Sequence, residues 1–524
     1  MAFITYMARI DLHIMNERVE WTGGIARFAC GASALLALML AQGCTVGPTY
    51  VRPSVATPAT FKEAPVAVAP DGTTWAPARP QDAALRGPWW KIYKEPELDA
   101  LEDELNSSNQ NIAQAYQNYM AARAQVSAAR ASYAPTATVQ PSFTRSGSPL
   151  MSSGGATSLF GSATSLAGLR TTSNNYDFPL DVSWEPDLWG RIRNTVKEFA
   201  NAAQVSAADL ANERLSEQAS LAQDYFELRG QDELIALNER TIDAYRKSLQ
   251  LTQVLGKTGI DSAQSVAQAQ LNLKTAEASA TNLGIARAQY EHAIALLIGQ
   301  PASSFSLPAR PLTTAVPVIP VGVPSELLQR RPDIAAAERT MSEANALIGV
   351  ETAAFYPTVS ISLSAGFESP TLANWFAWPA RFFSIGPSAS ETLFDGGLRT
   401  ATVAQYKAQY EGDVAAYRQA VLTAFQQTED YLAAQRILAT QIEQQRDVVA
   451  AAQHYYDLAA VRYRTGVDTY LNVYVAQTAL FSDQQSMVTL RVQQMTSSVQ
   501  LIEALGGGWD ATQLPLEKDV GSTR

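Results

Sequence analysis

Cysteine and histidine are scarce in this chain. Its 524 residues include two cysteines and three histidines. Both cysteines, Cys30 and Cys44, lie near the N-terminus, and the histidines, His13, His292 and His454, are far apart in sequence. A disulfide within the downstream part of the chain is therefore excluded. We also expect no bound metal and no cofactor, because no Cys/His cluster is present.

Basic charge is also in short supply. The chain has 39 Lys and Arg residues against 50 Asp and Glu residues, for a net charge of −11. Nucleic-acid binding needs a concentrated basic surface, so no nucleic-acid partner is expected.

Motifs typical of enzymes are missing as well: there is no nucleophile elbow, phosphate-binding loop or metal-binding motif. The charged group Arg330, Arg331 and Asp333 is better explained as a helix start, since Pro332 suits the first turn of a helix. We therefore expect a protein without catalytic residues.

Long hydrophobic runs are missing too. The run from Phe28 to Leu40 is too short to span a bilayer comfortably, and arginines precede it, as in a secretory signal peptide. Small residues before Cys44 predict a bacterial lipoprotein signal, with residues 1–43 removed and Cys44 lipidated. An ordinary secretory signal cut nearby is the alternative, and Met15 is an alternative start. Membrane crossing would then require a β-barrel.

The chain contains an internal repeat with a period of about 210 residues. The segment from Asn111 to Thr136 aligns without gaps with the segment from Asp333 to Thr358. Further on, residues 257–262 (KTGIDS) align with residues 464–469 (RTGVDT). Each half reads as helix, strand, loop, strand, long helix, tight turn and helix, which predicts a duplicated domain.

This repeat divides the chain into five predicted segments. They are a signal peptide at 1–43, a lipidated N-terminal segment with an equatorial region at 44–95, a first repeat at 96–310 with helices to about 299, a second repeat at 311–506 with helices to about 505, and a C-terminal tail at 507–524.

Four segments alternate apolar residues with polar residues that are mostly Ser and Thr, at about 136–144, 177–186, 358–367 and 383–393. Each is roughly 9 or 10 residues long, the length that crosses a bilayer at a tilt. An apolar face and a small polar face predict lipid outside and water inside. A soluble antiparallel sheet with one wet face is the alternative. Four strands are too few to close a barrel, so several chains must contribute strands.

The predicted long helices and their turns follow one pattern. From about residue 397 to 463, heptads continue without a proline, which is typical of coiled-coil packing. Gly259 and Gly466 suit the left-handed conformation that ends a helix. Asp261 and Asp468 are then placed as N-caps of the returning helices, or alternatively as residues that line a pore or a partner surface.

Several motifs extend over nearly the whole chain after residue 43. They are CTVGPTYVRP at 44–53, Trp89-Trp90 followed by Pro96-Glu97-Leu98 and Asn109, DLWGR at 187–191, RRPDI at 330–334, FDGG at 394–397, and RTGVD at 464–468. Together they resemble the TolC-like outer-membrane factors, and within them the NodT-like lipoprotein branch that works with resistance-nodulation-division (RND) efflux pumps.

This resemblance implies a mainly α-helical protein with a transmembrane β-barrel. A homotrimer would form a 12-stranded β-barrel, continued into the periplasm by an α-helical barrel, in the outer membrane of a Gram-negative bacterium. The strand count alone allows a dimer or a tetramer as well. The implied function is a passive exit duct for drugs or other small molecules. The implied partners are outer-membrane lipid, a periplasmic adaptor (membrane fusion protein) and an inner-membrane RND transporter. The duct of a type I protein-secretion system and a lipid-tethered structural coiled coil are the alternatives.

The resemblance also assigns residues to the periplasmic end. Leu471 falls in the apolar ring of a periplasmic gate, and Val475 lies one turn further on, where aspartate is frequent in the family. Asp468 and Asn472 are the nearest acidic and polar candidates. Packing between helices is the competing explanation for Leu471 and Val475. Adaptor docking is expected at the two tip turns, through Lys257, Thr258, Gly259, Asp261, Arg464, Thr465, Gly466 and Asp468.

Overall fold

The computed structural model describes residues 45–63, 87–149 and 170–521. Within these ranges the chain folds into long helices and one antiparallel sheet. The helices are α1 Pro96–Ser108, α2 Gln110–Ala131, α3 Arg191–Lys257, α4 Ala263–Leu297, α5 Leu327–Arg330, α6 Pro332–Ala353, α7 Leu398–Arg464 and α8 Tyr470–Ala504. The strands are β1 Thr136–Val139, β2 Ser142–Pro149, β3 Arg170–Trp184, β4 Thr358–Ser369 and β5 Arg381–Ser390.

The predicted duplication is visible in the helix lengths. Helices α3 and α7 have 67 residues each, α4 and α8 have 35 each, and α2 and α6 have 22 each. At 1.5 Å per residue, the longest helices measure about 100 Å. Helix α3 packs on α4 and α7 packs on α8, forming two long hairpins, and α3 also packs on α8. Over the described ranges, none of the helices combines the length and apolarity needed to cross a bilayer.

The sheet has the order β1-β3-β4-β5, and β2 also pairs with β3. The β3–β4 pair joins the two repeats. Cross-strand partners lie on the same face of a sheet, so rows of partners define the character of each face. One row is Val139, Leu180, Ala365 and Phe383, and the next is Thr138, Asp181, Ser364 and Ser384. One face is therefore apolar and the other polar, as the alternation predicted.

The sequence predicted one continuous strand at about 136–144, and this is wrong, because the structure has two shorter strands there. Strands β1 and β2 pair with β3 in a single register, but Gln140 and Pro141 interrupt them. That register places Pro141 opposite Phe178 and Gln140 opposite Pro179. Proline has no amide hydrogen, so prolines on both strands leave the ladder short of donors at the same level. The two pieces still act as one edge of the sheet.

The other strand bounds also differ from the predictions. Strand β3 begins at Arg170 rather than at 177 and ends at Trp184, and β4 continues to Ser369. Strand β5 spans Arg381–Ser390 rather than 383–393. Its end follows from β4, because Ser390 pairs with Thr358 and the preceding Pro357 has no amide hydrogen to extend the ladder.

The largest apolar cluster lies where the N-terminal segment, α1, α3 and α8 meet. It contains Trp89, Leu98, Leu105, Tyr225, Phe226 and Met495, all buried. This cluster anchors the helical hairpins, which extend from it towards their tip turns. The tip turns lie at the C-terminal ends of α3 and α7, and the sheet precedes the N-terminal ends of the same two helices.

Candidate functional site

Both hairpins end in tight turns of the same geometry. Gly259 and Gly466 have φ angles of 76° and 72°, the left-handed conformation predicted for them. Ile260 N donates to Leu255 O at 3.0 Å, and Val467 N donates to Arg462 O at 3.0 Å. These bonds close the ends of α3 and α7 in the manner of a glycine C-cap.

The two aspartates that follow are not the N-caps. Ser262 caps α4 by accepting a hydrogen bond from Ser265 N at 3.1 Å, and Thr469 is the N-cap residue of α8. The prediction that Asp261 and Asp468 cap these helices is wrong by one residue. The residue with extended backbone that precedes each helix is Ser262 in the first hairpin and Thr469 in the second. Each aspartate lies one residue before this N-cap position.

Asp261 connects the two hairpins. The Tyr463 hydroxyl donates a hydrogen bond to Asp261 Oδ2 at 2.5 Å and lies 3.1 Å from Thr252 Oγ1. Burial tends to raise the pKa of Asp261, but hydrogen bonds from Tyr463, Ser265 and Ser262 outweigh it, so the pKa of this carboxyl is lowered. Burial and the adjacent Asp261 carboxylate raise the pKa of Tyr463. Asp261 is therefore a charged acceptor and Tyr463 a protonated donor at neutral pH.

Asp468, the equivalent residue in the second hairpin, binds within its own hairpin. Its carboxylate accepts from Thr469 N at 2.9 Å, from Asn472 Nδ2 at 2.5 Å and from Arg462 Nε at 3.2 Å. These hydrogen bonds, first that from Thr469 N and then that from Asn472, lower the pKa of Asp468. The structure thus brings Asp468 and Asn472 together, as two of the four predicted gate residues.

Leu471 and Val475 lie one helical turn apart on α8. Their exposed fractions in the single chain are 59% and 46%. The face of α8 that packs against the neighbouring helices instead carries Tyr470 and Val473, with Ala476. Leu471 and Val475 therefore do not pack between helices of their own chain, and they are available to meet copies of themselves or another surface.

The remaining tip residues are accessible. Lys257, Thr258, Gly259, Arg464, Thr465 and Gly466 are exposed, and Asp261 and Asp468 are partly exposed. Ile260 and Val467 lie within the predicted docking turns but were not among the docking residues named individually, and their exposed fractions are 67% and 66%. They occupy equivalent positions in the two repeats. An apolar residue directly after the turn glycine, in both copies, is the signal that identifies them.

Cys44 lies outside the described residues, but the chain directly after it has a defined place. Thr45 packs so tightly on Gly190 that a Cβ on this glycine would lie 3.0 Å from the Thr45 Cα. Val46 N donates to Trp189 O at 3.0 Å. The Trp189 ring stacks on Tyr356 with 4.9 Å between ring centroids, just before β4 begins. The start of this segment therefore lies at the helical end of the sheet.

From there, residues 45–63, which we call the N-terminal strap, run along α6 and α7. Asn345 Nδ2 donates to Pro48 O at 3.0 Å, and Tyr50 Oη donates to Glu338 Oε1 at 2.8 Å. Near its end, the Glu429 carboxylate accepts from the backbone N–H groups of Lys62 and Glu63 at 2.8 and 2.9 Å. Hydrogen bonds thus hold the start of the strap to the first repeat, at Val46, and its later part to the second repeat.

Sequence reasoning also missed a buried ionic cluster. Arg229 is fully buried and donates to Glu97 Oε2 at 2.6 Å and to Asp232 Oδ2 at 2.8 Å. Arg287 Nε donates to Asp232 Oδ1 at 2.7 Å. The cluster joins α1, α3 and α4, so it positions the first hairpin. Its partners are too far apart in sequence to be recognised as a group.

In the ranges that the structure describes, His, Cys, Asp and Glu form no group of three or more that could hold a metal ion. The charged group at Arg331 and Asp333 is structural, since Arg331 Nη2 donates to Asp333 Oδ2 at 2.7 Å and Nη1 donates to Ala504 O at 2.9 Å. As predicted, Pro332 is the first residue of a helix.

Known proteins share both the sequence and the fold. The family model described as "Outer membrane efflux protein" matches residues 101–300 and 323–507. The toluene efflux pump outer membrane protein TtgC of Pseudomonas putida is 33% identical over 475 residues, covering 89% of this chain and 93% of TtgC. Outer membrane protein OprJ of Pseudomonas aeruginosa is 30% identical, covering 92% of this chain and 96% of OprJ. The solved structure of the outer-membrane channel OprN superposes with a TM-score of 0.78 at 29% identity, covering 89% of this chain and 100% of OprN.

A sheet continued by two long helical hairpins, together with these similarities, defines an outer-membrane channel protein. The chain belongs to the outer membrane efflux protein family. The predicted resemblance, fold class, outer-membrane location and role as the channel component of an efflux pump are confirmed. The expectation that the chain is not an enzyme is confirmed as well, because this family consists of passive channels.

Proposed function

We propose that three copies of this chain form the exit duct of a tripartite pump, through which an inner-membrane RND transporter and a periplasmic adaptor deliver small molecules. The observation that carries the assembly is the sheet of the single chain. Its apolar face is exposed. Among the described strands, those at the two ends of the sheet have a neighbour on one side only: β1 and β2 at one end, and β5 at the other. Lipid does not tolerate open edges, so β5 of one copy pairs with β1 and β2 of the next until the barrel closes.

Apolar and amphipathic organic molecules are the substrate class we infer. The relative TtgC is named for toluene efflux. The polar face of the sheet, which carries Thr138, Asp181, Ser364 and Ser384 in one row, lines the duct and, apart from Pro179 and Phe382 in the neighbouring row, offers a mainly polar surface that would not retain such molecules. Energy comes from the pump, and the duct contributes only a water-filled route.

The N-terminal strap supports a lipid anchor at Cys44. Thr45 lies beside Gly190 at the helical end of the sheet, next to the stacked rings of Trp189 and Tyr356. Aromatic rings of this kind favour the interface between membrane and water. Cys44 directly precedes Thr45 in the chain, so an acyl chain on Cys44 would be attached next to this level.

The tips carry the proposed gate and the proposed docking surface. Leu471 and Val475 of three copies would form apolar rings that close the resting duct by dewetting, with Asp468 and Asn472 beside them. The adaptor would dock on the turns 257–261 and 464–468, where Ile260 and Val467 add an apolar contact in each repeat.

One experiment tests the duct. The chain, with its own pump and adaptor, is expressed in a Gram-negative strain that lacks its endogenous channel. We expect lower accumulation of an apolar dye and growth at higher toluene concentrations than in the strain without the channel. Native mass spectrometry of the purified protein should report a trimer. A stable monomer would overturn the assembly, and secretion of a reporter protein without any change in dye accumulation would support the protein-secretion duct instead.

A further inference from the structure

A cleft lies between the two hairpins, separate from the proposed gate. Helices α3 and α7 form its walls, and α8 forms its floor. Its upper part is a cavity of about 440 Å³, a volume in the range of small-molecule sites. Leu480 and Phe481 are among the residues that make its floor apolar. We call this space the inter-hairpin cleft.

Gln477 on the floor of the cleft is a buried amide that lacks a hydrogen-bond partner in the described part of the chain. Its exposed fraction is 4%, and neither its amide nitrogen nor its amide oxygen has a partner among the described residues. Buried polar groups in folded proteins are nearly always hydrogen-bonded, and an amide has both donors and an acceptor to satisfy. A molecule in the cleft that both accepts and donates hydrogen bonds, or carries water with it, would meet this need.

The charge in the cleft is positive. Arg240 lines it and forms no ion pair within the described part of the chain. Lys247 and Arg464 line a second cavity of about 420 Å³ that continues the cleft towards the tips and shares Arg240 and Tyr456 with the first. Two acidic residues also line these cavities. Glu233 accepts from Arg491 at 2.9 Å through Oε1, and its Oε2 has no hydrogen-bond partner among the described residues. Asp243, in the second cavity, pairs with Arg246. On a chain of net charge −11, three cations without an ion pair in the described ranges, against two acidic residues that each have a basic partner, favour an anion in the cleft.

We infer that the inter-hairpin cleft binds a small organic carboxylate with an apolar body. Its carboxylate pairs with Arg240, its apolar body lies on Leu480 and Phe481, and the Gln477 amide completes its hydrogen bonds directly or through one water. A bidentate contact between guanidinium and carboxylate is among the stronger and more directional contacts in proteins. Because α3 belongs to one hairpin and α7 and α8 to the other, such a ligand contacts both hairpins at once.

The probe is 4-phenylbutyrate, which is soluble and forms no micelles in the concentration range needed. Binding is measured on the purified full-length protein in amphipol by isothermal titration and by saturation-transfer NMR, with empty amphipol as the blank. We expect saturable binding of one molecule per chain, weakened at least tenfold by 0.5 M salt because surface ion pairs are screened. The neutral analogue 4-phenyl-1-butanol should bind at least tenfold more weakly than the acid.

Two variants and one control identify the site. Arg240→Gln should weaken binding of the acid at least tenfold and remove its advantage over the alcohol. Gln477→Leu should also weaken binding, and its thermal stability should not fall, since it removes an unpartnered buried amide. Arg446→Gln is the control, because Arg446 lies on α7, does not line either cavity and forms a comparable exposed pair with Glu443. Absence of saturable binding to the unmodified protein, or unchanged binding in Arg240→Gln or Gln477→Leu, would overturn the inference. None of these readouts depends on transport.

Discussion

Tyr463 of the second hairpin donates a hydrogen bond to Asp261 of the first, with 2.5 Å between the oxygens. Their separation of 202 residues in sequence makes this a contact between the two repeats, at the level of the tip turns. The tips cannot spread apart without breaking it. The bond has a charged acceptor, so it is stronger than a neutral hydrogen bond.

Removal of this bond should loosen the tips. For Tyr463→Phe we expect a loss of about 1.5–3 kcal/mol at this contact, the typical worth of a hydrogen bond to a charged group. Trimer abundance should stay normal, and cells should take up more of a large antibiotic that the outer membrane normally excludes. Tyr455→Phe is the matched control, since Tyr455 is exposed on the same helix. Equal uptake in both variants would contradict a role of the bond in holding the tips together.

Gly466→Val should damage the tip turn through its backbone alone. Gly466 has a φ of 72°, which a β-branched residue disfavours, yet a Cβ there would meet no atom within 4 Å. We therefore expect antibiotic sensitivity with a normal amount of protein in the outer membrane. Gly412→Val is the control, because Gly412 lies inside α7 with equally open space and no positive φ. Wild-type resistance in Gly466→Val would rule out a functional role for the turn geometry.

The sequence predicted the features that depend on neighbouring residues or on the repeat. Gly259 and Gly466 were placed correctly because a left-handed residue between two helices leaves a local signal. The break at Pro141 was missed because it depends on Pro179 in the paired strand, and therefore on a register that no local pattern contains. The bond from Tyr463 to Asp261 was missed for the same reason, since periodicity assigns a residue to a helix face but not to a partner 202 residues away.

Lipidation is expected at Cys44 alone. Cells grown with radioactive palmitate should label the unmodified protein, and Cys44→Ser should carry no label. Cys30→Ser is the control, because Cys30 lies in the segment predicted to be removed and its loss should leave the label intact. Thr45, rather than aspartate, follows Cys44, so the labelled protein should fractionate with the outer membrane. Equal label in Cys44→Ser and the unmodified protein would show that Cys44 is not acylated.

Glu198 should make stability depend on pH. Burial, together with the carboxylates of Glu343 and Glu351, raises the pKa of Glu198 to about 7. An unfolded glutamate has a pKa of about 4.3, so the folded protein retains a proton that the unfolded chain loses. The contribution of Glu198 to stability is therefore complete below about pH 4.3 and falls as the pH rises to about 7.

Glu198→Gln should raise the Tm of the purified protein at pH 8 and leave it unchanged at pH 4, as measured by differential scanning fluorimetry. Glu411→Gln, at an exposed position on α7, is the control and should change neither value. An equal shift of the Tm at both pH values in Glu198→Gln would mean that the carboxyl acts through packing and not through its proton.

Leu471 offers the sharpest test of the proposed gate. Three exposed copies of this residue near the channel axis would exclude water without any charge, and a hydroxyl in their place would let water in. Leu471→Ser should therefore leave trimer abundance normal and make cells leak to a large antibiotic. If Leu471 instead packs against a neighbouring protomer, the same change should cost roughly 2–5 kcal/mol, as buried leucine truncations do, and should lower trimer abundance.

Two control leucines separate these outcomes. Leu458 is exposed on α7, so Leu458→Ser should change neither abundance nor uptake. Leu480 is buried in the floor of the inter-hairpin cleft, so Leu480→Ser should lower abundance and serve as the reference for a packing defect. Both quantities are measured in the same cells, by immunoblot of the outer membrane and by antibiotic uptake. If Leu471→Ser lowers abundance as Leu480→Ser does, Leu471 has a packing role. If Leu471→Ser changes neither abundance nor uptake, as expected for Leu458→Ser, Leu471 is not part of the gate.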